Sequence, residues 1–202
     1  MLTFDHIAIT AETLQEGVDW VETCLGVKLA GGGKHALMST HNRLLALGDI
    51  YLEVIAADPE APAPGHPRWF DMDRFHGRPR LTNWIARTDD IEAEVLAAPK
   101  GVGQPVALAR GDYRWKMAIP DDGILPFDNA FPALIQWLNA LHPTQTLPES
   151  GIRLKTLTIF HPQADALQAA LSLQDHRVQI IHGPAKAMTA TFSTPNGDRS
   201  LP

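Results

Sequence analysis

Along residues 4–10 apolar side chains fall on both faces of an extended backbone, Ile7 and Ile9 on one and Phe4 and Ala8 on the other, which predicts a β-strand covered on both sides. Because strand side chains alternate between two faces, His6 is expected to share its face with Phe4, among apolar neighbours. Residues 51–55 repeat this arrangement, with Glu53 on the same face as two apolar residues. An imidazole or a carboxylate in an apolar setting costs free energy unless it is paired or bound to a ligand. The pattern therefore predicts that His6 and Glu53 meet in one pocket.

The pattern of one strand, one helix and several strands recurs along the chain, which indicates repeated βαβββ modules and an α+β fold. We predict a first module at 1–58, a linker with a lid-like helix at 59–80, a second module at 81–140 and a third, partial βαββ module at 152–202, all packed as one domain. The predicted helices are 11–25, with Thr10 as its cap and Gly26 as its stop, 89–98 and one from Pro162, and the predicted strands are 4–10, 37–40, 43–47, 50–55, 81–87, 106–110, 115–119, 133–137, 154–160, 178–181 and 188–194.

Composition excludes several classes of protein. The formal net charge of −6 and the absence of a Lys/Arg cluster argue against nucleic acid and against an anionic membrane surface as partners. No apolar run approaches the roughly 20 residues of a membrane span, and no secretion signal is recognisable, so we expect a cytoplasmic protein. Cys24 is the only cysteine, which excludes an intramolecular disulfide and a cysteine-based zinc cluster.

A run of three glycines, residues 31–33, precedes Lys34 and His35. A phosphate loop would have Ser or Thr where His35 stands, so the run predicts a flexible connection close to a ligand instead.

Several short motifs, in this order and at this spacing, resemble the vicinal oxygen chelate superfamily, which includes glyoxalase I, extradiol dioxygenases and bleomycin-resistance proteins. Asp-His-Ile-Ala-Ile opens the first unit at residues 5–9, and Tyr-Leu-Glu-Val-Ile closes it at 51–55. Residues 32–35, 39–42 and 131–137 are similar to the glyoxalase-like domain branch. The resemblance implies paired βαβββ modules that curl into half-open barrels around a pocket, as in the glyoxalase/dihydroxybiphenyl dioxygenase fold.

The resemblance also implies where a metal would bind, because metal-dependent members take ligands from the first and last strands of each module. His6 and Glu53 match two of these positions. Aligning residues 5–10 with residues 83–88 places Trp84 at the third position, and the fourth falls near Gln136. His6, Glu53 and Gln136 are thus the implied ligands of a divalent metal (Zn, Fe, Mn or Ni), a set that lacks its second histidine.

Three interpretations of these residues remain open. In one, a metal polarises the oxygens of a small substrate, and His6 and Glu53 are catalytic. In another, no metal binds, and the pocket holds a small organic molecule. In the third, His6 and Glu53 form a buried structural pair. The candidates for contact with a substrate are His35, Thr40, Asn42, Tyr51, Trp84 and Trp137.

Two functions follow from these interpretations, and the sequence leaves open whether the protein is an enzyme. The first is a lyase, isomerase or ring-cleaving dioxygenase that acts on a small carbonyl compound or diol. The second is a binding module that sequesters a small aromatic or amphipathic molecule. In both cases the partner is a small molecule, and the resemblance implies a homodimer as one assembly.

Overall fold

A computed structural model describes residues 1–202 as two β-sheets with short helices between the strands. The strands are β1 (Thr3–Thr10), β2 (Lys34–His35), β3 (Thr40–Ala46), β4 (Tyr51–Ala57), β5 (Arg80–Arg87), β6 (Gln104–Arg110), β7 (Tyr113–Ile119), β8 (Ala133–Trp137), β9 (Arg153–His161), β10 (Val178–His182), β11 (Ala187–Thr194) and β12 (Gly197–Leu201). The helices are α1 (Leu14–Leu25), α2 (Ile91–Ala97), α3 (Pro126–Asn129), α4 (Pro143–Thr146) and α5 (Ala164–Ala169). A 3-10 segment covers Trp69–Arg74.

The larger sheet has eight strands in the order β2-β3-β4-β1-β5-β8-β7-β6. Its first half consists of β1 to β4 and its second half of β5 to β8, and in each half the first strand is followed by the fourth, the third and the second. The halves join through the antiparallel pair β1 and β5. The sheet curls until its edge strands β2 and β6 approach each other, where Arg110 of β6 hydrogen-bonds His35 of β2 at 3.2 Å. This curled, nearly closed mixed sheet, with a second sheet beside it, confirms the predicted α+β glyoxalase-like fold.

The register of β1 against β5 shows a two-fold relation between the two halves. Ile7 lies opposite Trp84, His6 lies opposite Ile85, and Ala8 lies opposite Asn83. A two-fold rotation about the first pair therefore exchanges His6 with Asn83. The same rotation exchanges Ala8 with Ile85. On the neighbouring parallel strands, Glu53 pairs with Ala8 and Ala133 pairs with Ile85, so Glu53 is equivalent to Ala133.

This register corrects the alignment made from the sequence, which placed Trp84 and Gln136 at the positions equivalent to His6 and Glu53. The equivalent residues are Asn83 and Ala133. The one-residue difference between Trp84 and Asn83 has a physical cause, since β-bulges interrupt the β1–β5 pairing on both strands. A one-residue shift moves a side chain to the other face of the sheet.

The local sequence explains where α1 begins and ends. Thr13 accepts a hydrogen bond from the backbone N–H of Glu16, and Gly26 ends the helix with a left-handed backbone at φ 69°. The buried residues Leu14, Val21 and Leu25 return at helical spacing and pack on the shared core. No helix combines the length and hydrophobicity that a membrane span requires.

Three segments differ from their predicted conformation. Residues 197–201 form the unpredicted strand β12, so the third module is a complete βαβββ unit and not the predicted partial βαββ module. Residues 36–39 form a turn, so the predicted strand at 37–40 is wrong and β3 begins at Thr40. The segment Trp69–Arg74 stands where a lid-like helix was predicted, but Phe70 and Asp71 have positive φ angles of 60° and 56°. Residues other than glycine seldom adopt this backbone, and it prevents a regular α-helix here. The segment instead turns Trp69 and Phe70 into the protein interior.

The smaller sheet has the order β10-β9-β11-β12 and shares a hydrophobic core with the larger one. Leu157 and Phe192 contribute to that core from β9 and β11. Lys186 donates a hydrogen bond to the carbonyl oxygen of Thr82 on β5, and Leu81 donates its backbone N–H to Pro202. These contacts fix the smaller sheet against the middle of the larger one.

Candidate active site

The concave face of the larger sheet forms a small, partly open cavity, in which the centre of a water-sized sphere can occupy about 30 Å³. Both halves of the sheet contribute to it, and the 3-10 segment closes it. Most of its polar residues come from the first half, and its apolar residues come mainly from the second half and the 3-10 segment. The lining residues are His6, His35, Asn42, Tyr51, Glu53, Trp69, Phe70, Arg110, Trp115, Met117, Ile135 and Trp137.

A β-bulge at Asp5 places two consecutive side chains of β1 in contact at this cavity. The Asp5 carboxylate is fully buried, and its Oδ1 atom lies 2.6 Å from Nδ1 of His6. Its Oδ2 atom accepts hydrogen bonds of 3.1 Å from the indole of Trp137 and from Nε2 of His142. Arg87 approaches the same oxygen to 3.6 Å. Asp5 therefore holds the His6 ring in one orientation.

The bulge also separates Phe4 from His6, which the sequence had placed on one face. Phe4 packs edge-on against Trp84, with ring centroids 5.8 Å apart, and does not line the cavity. An inserted residue breaks the alternation of faces, which accounts for this difference.

His6 and Glu53 meet in the cavity, as the sequence predicts. Nε2 of His6 lies 3.7 Å from Oε2 of Glu53, and both side chains are buried. The ring of Tyr51 stacks on the His6 ring with a centroid distance of 4.2 Å. Asn42 donates a hydrogen bond from Nδ2 to Oε1 of Glu53. His6 thus lies between two carboxylates, those of Asp5 and Glu53.

Burial and these contacts act in opposite directions on the pKa values of the three groups. Burial alone would raise the pKa of Glu53, but His6 and Asn42 outweigh it and lower the pKa to about 2. Burial also opposes the charge of Asp5, yet hydrogen bonds from His142 and His6 hold its pKa well below the usual range. Burial lowers the pKa of His6, whereas Asp5 and Glu53 raise it above its ordinary value of 6.5. His6 is therefore a cation that lies between the anions of Asp5 and Glu53.

A second polar group on the cavity wall contains His35, Asn42 and Arg110. Arg110 donates from Nη1 to Nε2 of His35 at 3.2 Å and to Oδ1 of Asn42 at 3.1 Å. Because Nε2 of His35 accepts this bond, Nδ1 carries the proton and donates to Oγ1 of Thr40 at 3.0 Å. Burial lowers the pKa of His35 to about 4, so its imidazole is neutral near pH 7.

The structure brings together most of the residues that the sequence singled out. His35, Asn42, Tyr51 and Trp137 line the cavity with His6 and Glu53. Thr40 lies behind them and positions His35.

Two of the singled-out residues lie elsewhere. The indole of Trp84 is fully buried in the core and donates a 2.8 Å hydrogen bond to the carbonyl oxygen of Ala130. Gln136 lies on the opposite face of β8 from its neighbours Ile135 and Trp137, where it bonds to Ile91 and Asp89 at the start of α2.

The donors at the cavity do not fit a protein-held divalent metal. With Gln136 engaged at α2, only His6 and Glu53 remain of the implied ligand set, and Nδ1 of His6 is bonded to Asp5. No group of three or more His, Cys, Asp or Glu side chains is placed to hold a metal ion. Catalytic zinc and non-haem iron sites take three protein ligands.

Sequence reasoning missed Asp5, Arg110 and His142. In the sequence, Asp5 is an ordinary polar neighbour of His6, and only the bulge turns its side chain towards the imidazole. His142 comes from a distant loop and reaches Asp5 as the cap residue of α4. Arg110 joins the site through the curl of the sheet, a long-range feature without a local signal. The aromatic residues near position 69 did point to a cover over an apolar space, and Trp69 provides it.

Comparison with known proteins agrees with this architecture. The model of the glyoxalase-like domain matches residues 4–174. A hypothetical protein from Staphylococcus aureus is 16% identical, with 92% of this chain and 88% of that chain covered and a TM-score of 0.63. A methylmalonyl-CoA epimerase from Streptomyces coelicolor, solved with 2-nitronate-propionyl-CoA, is 16% identical, covers 69% of this chain and 100% of its own, and has a TM-score of 0.46.

The methylmalonyl-CoA epimerase from Mycobacterium tuberculosis is 18% identical, with 66% of this chain and 85% of that chain covered and a TM-score of 0.42. No curated protein matches the sequence significantly. The resemblance inferred from the motifs is confirmed by the family match, which spans most of the sequence. The chain belongs to the glyoxalase-like domain family of the vicinal oxygen chelate superfamily.

Proposed function

We propose that the cavity binds a small carbonyl compound and that His6 and Glu53 transfer protons on it, as an isomerase or lyase requires. The observation that carries this proposal is the His6 ring, oriented by the buried Asp5 and facing Glu53 across 3.7 Å. The lining includes no Ser, Thr or Cys nucleophile. Acid–base chemistry is therefore better supported than covalent catalysis.

The proposed step uses the two groups together. Oε2 of Glu53 takes the proton from the carbon next to the carbonyl group while Nε2–H of His6 protonates the carbonyl oxygen, which yields the enol. As His6 loses its charge, Glu53 loses the cation that keeps it acidic, so its basicity rises when it is needed. Return of a proton to another carbon gives an isomer, and loss of a neighbouring group gives a lyase product. No step passes through a metal.

The test is hydrogen exchange into small carbonyl compounds. With chelator present, pyruvate and hydroxyacetone are incubated with the protein in D₂O, and loss of the C–H signals next to the carbonyl group is followed by proton NMR. Glu53→Gln keeps the shape of the side chain and is expected to lower the protein-dependent rate by at least about 100-fold. Glu16→Gln, at an exposed position of α1, is the matched control and should leave the rate unchanged. Equal rates in the wild type and in Glu53→Gln would overturn the proposal.

The second candidate is the binding module. The three indoles of Trp69, Trp115 and Trp137 on the cavity wall favour it, because aromatic walls suit an apolar ligand. The same samples distinguish the two functions. Binding without catalysis would be favoured if pyruvate or hydroxyacetone quenched the tryptophan fluorescence of the wild type while its proton exchange was no faster than that of Glu53→Gln.

A further inference from the structure

Arg110 is a half-buried cation on the cavity wall without an anionic partner. Both of its side-chain hydrogen bonds leave from Nη1, and both go to uncharged acceptors, His35 and Asn42. The Nε and Nη2 donors have no protein acceptor. A guanidinium presents its donors as a planar fork that matches a carboxylate. The protein thus leaves a charged pair of donors unused beside a cavity.

Trp69 supplies a second unused donor at the same place. Only 4% of this residue is exposed, yet its indole Nε1–H has no hydrogen-bond acceptor. Native proteins seldom leave a buried donor unpaired. His35 connects the two, since its ring packs edge-on against Trp69 with a centroid distance of 5.1 Å and accepts the bond from Arg110. The side chains of Arg110 and Trp69 therefore both contact the imidazole of His35.

The local backbone accommodates this arrangement. A Cβ atom added to Gly33 would lie 2.5 Å from Cδ of Arg110, so the glycine leaves room for the arginine side chain to pass the edge of β2. Glu53 and Arg110 form no direct ion pair, because Asn42 lies between them. Asn42 donates to Glu53 through Nδ2 and accepts from Arg110 through Oδ1. The cavity is divided into an acid–base end and a donor-rich end.

We infer that the cavity takes a small carboxylate, whose two oxygens bond to the Arg110 fork and to the indole N–H of Trp69. The assignment rests on the proposed function, and it narrows the substrate to a carbonyl compound that carries a carboxylate. A carboxylate only accepts hydrogen bonds, so it satisfies all the free donors at once. A neutral amide of the same shape replaces one acceptor with a donor and forfeits the charge.

The experiment compares acids with their amides. Acetate is paired with acetamide, and benzoate with benzamide, and dissociation constants are measured by calorimetry and by tryptophan fluorescence. For the wild type, an acid is expected to bind at least about tenfold more tightly than its amide. Arg110→Gln should remove this preference, whereas Arg114→Gln, at an exposed position of β7, should keep it. Trp69→Phe keeps an aromatic ring and removes the N–H donor, so it should weaken the binding of the acid more than that of the amide.

Equal binding of acid and amide by the wild type would overturn the carboxylate assignment, as would failure of both acids to bind. An unchanged preference in Arg110→Gln would also overturn it. The proposed function has a separate test, which is the effect of Glu53→Gln on proton exchange into pyruvate and hydroxyacetone, whereas acetate and benzoate report binding alone. Circular dichroism and melting temperature show that each variant is folded, and Trp69→Phe provides an independent test if Arg110→Gln is not.

Discussion

The buried Asp5 illustrates how much a single residue decides at this site. It accepts hydrogen bonds from residues of three separate elements, which are His6, Trp137 and His142. Its charge keeps His6 protonated, and the same contacts keep Asp5 ionised in a fully buried position. His35, only a few ångströms from Arg110, has the opposite state and is neutral. Burial lowers the pKa of both histidines, but the carboxylates of Asp5 and Glu53 outweigh it at His6, whereas at His35 burial prevails and Arg110 adds to it.

His35 predicts a pH dependence of stability. Burial lowers its pKa from the ordinary 6.5 to about 4 in the folded protein. Between these values the unfolded chain binds a proton that the folded chain does not, so the free energy of unfolding falls as the pH falls. The difference amounts to about 3 kcal/mol at pH 4. His35→Gln should lose less stability than the wild type between pH 6.5 and pH 4, as measured by urea denaturation.

The control for this measurement is His182→Gln, at an exposed position. Glu53 and Asp5 have lowered pKa values, so their contributions disappear mainly below pH 4.5. Parallel pH profiles for the wild type and His35→Gln would contradict the prediction.

At the scale of elements, the connection into β2 explains the run of three glycines. A Cβ atom added to Gly32 would lie 2.0 Å from the backbone carbonyl oxygen of Asn42. The backbone N–H of Gly33 donates to Oδ1 of Asn42, the atom that also accepts from Arg110. Gly32 is thus required for close contact between this connection and β3, and Gly33 leaves room for Arg110. They hold Asn42, and through it both ends of the cavity.

We therefore expect Gly32→Ala to destabilise the protein by about 1–3 kcal/mol, because backbone atoms of β3 would have to move. It should also weaken benzoate binding, since Asn42 would be displaced from Arg110. Gly31→Ala is a closely matched control, because its added Cβ atom would meet no heavy atom within 4 Å. Chemical denaturation measures the first effect and calorimetry the second. Equal stabilities for the two variants would show that the close contact is not a constraint.

At the scale of the whole molecule, the two sheets are joined by a shared core and by one multiple ion pair. Arg177, in the segment before β10, donates to both carboxylate oxygens of Asp49 at 2.8 and 2.9 Å. Asp49 lies in the turn between β3 and β4 of the larger sheet. Arg177 also bonds to Asp175 at 2.7 Å, and its guanidinium lies 5.5 Å from the centre of the Phe4 ring. The smaller sheet therefore supports β1 from behind the cavity.

Arg177→Met is expected to lower the free energy of unfolding by about 1–3 kcal/mol, because it leaves the largely buried carboxylate of Asp175 without its partner. Lys155→Met removes an exposed ion pair with Asp198 within the smaller sheet, and should cost less than about 1 kcal/mol. Urea denaturation of both variants tests the difference. A loss for Arg177→Met no larger than that for Lys155→Met would mean that this ion pair does not hold the sheets together.

The sequence by itself determined the fold class and the two central residues of the site. Period-two and helical patterns are local properties, and the recurrence of one strand, one helix and several strands is visible without coordinates. His6 and Glu53 could be identified because a polar residue in an apolar strand requires a partner. The end of α1 at Gly26 and the hairpin turns are equally local, whereas the N-cap of α1 is Thr13 and not the predicted Thr10.

Only the tertiary structure decided the rest. The bulge at Asp5 changed which residues share the cavity face, and the register of β1 against β5 made Asn83, not Trp84, the two-fold equivalent of His6. Arg110 lies 75 positions along the chain from its partner His35, and His142 lies 137 positions from its partner Asp5. Strand register and sheet curvature depend on the sum of many long-range contacts, so no short stretch of sequence contains them.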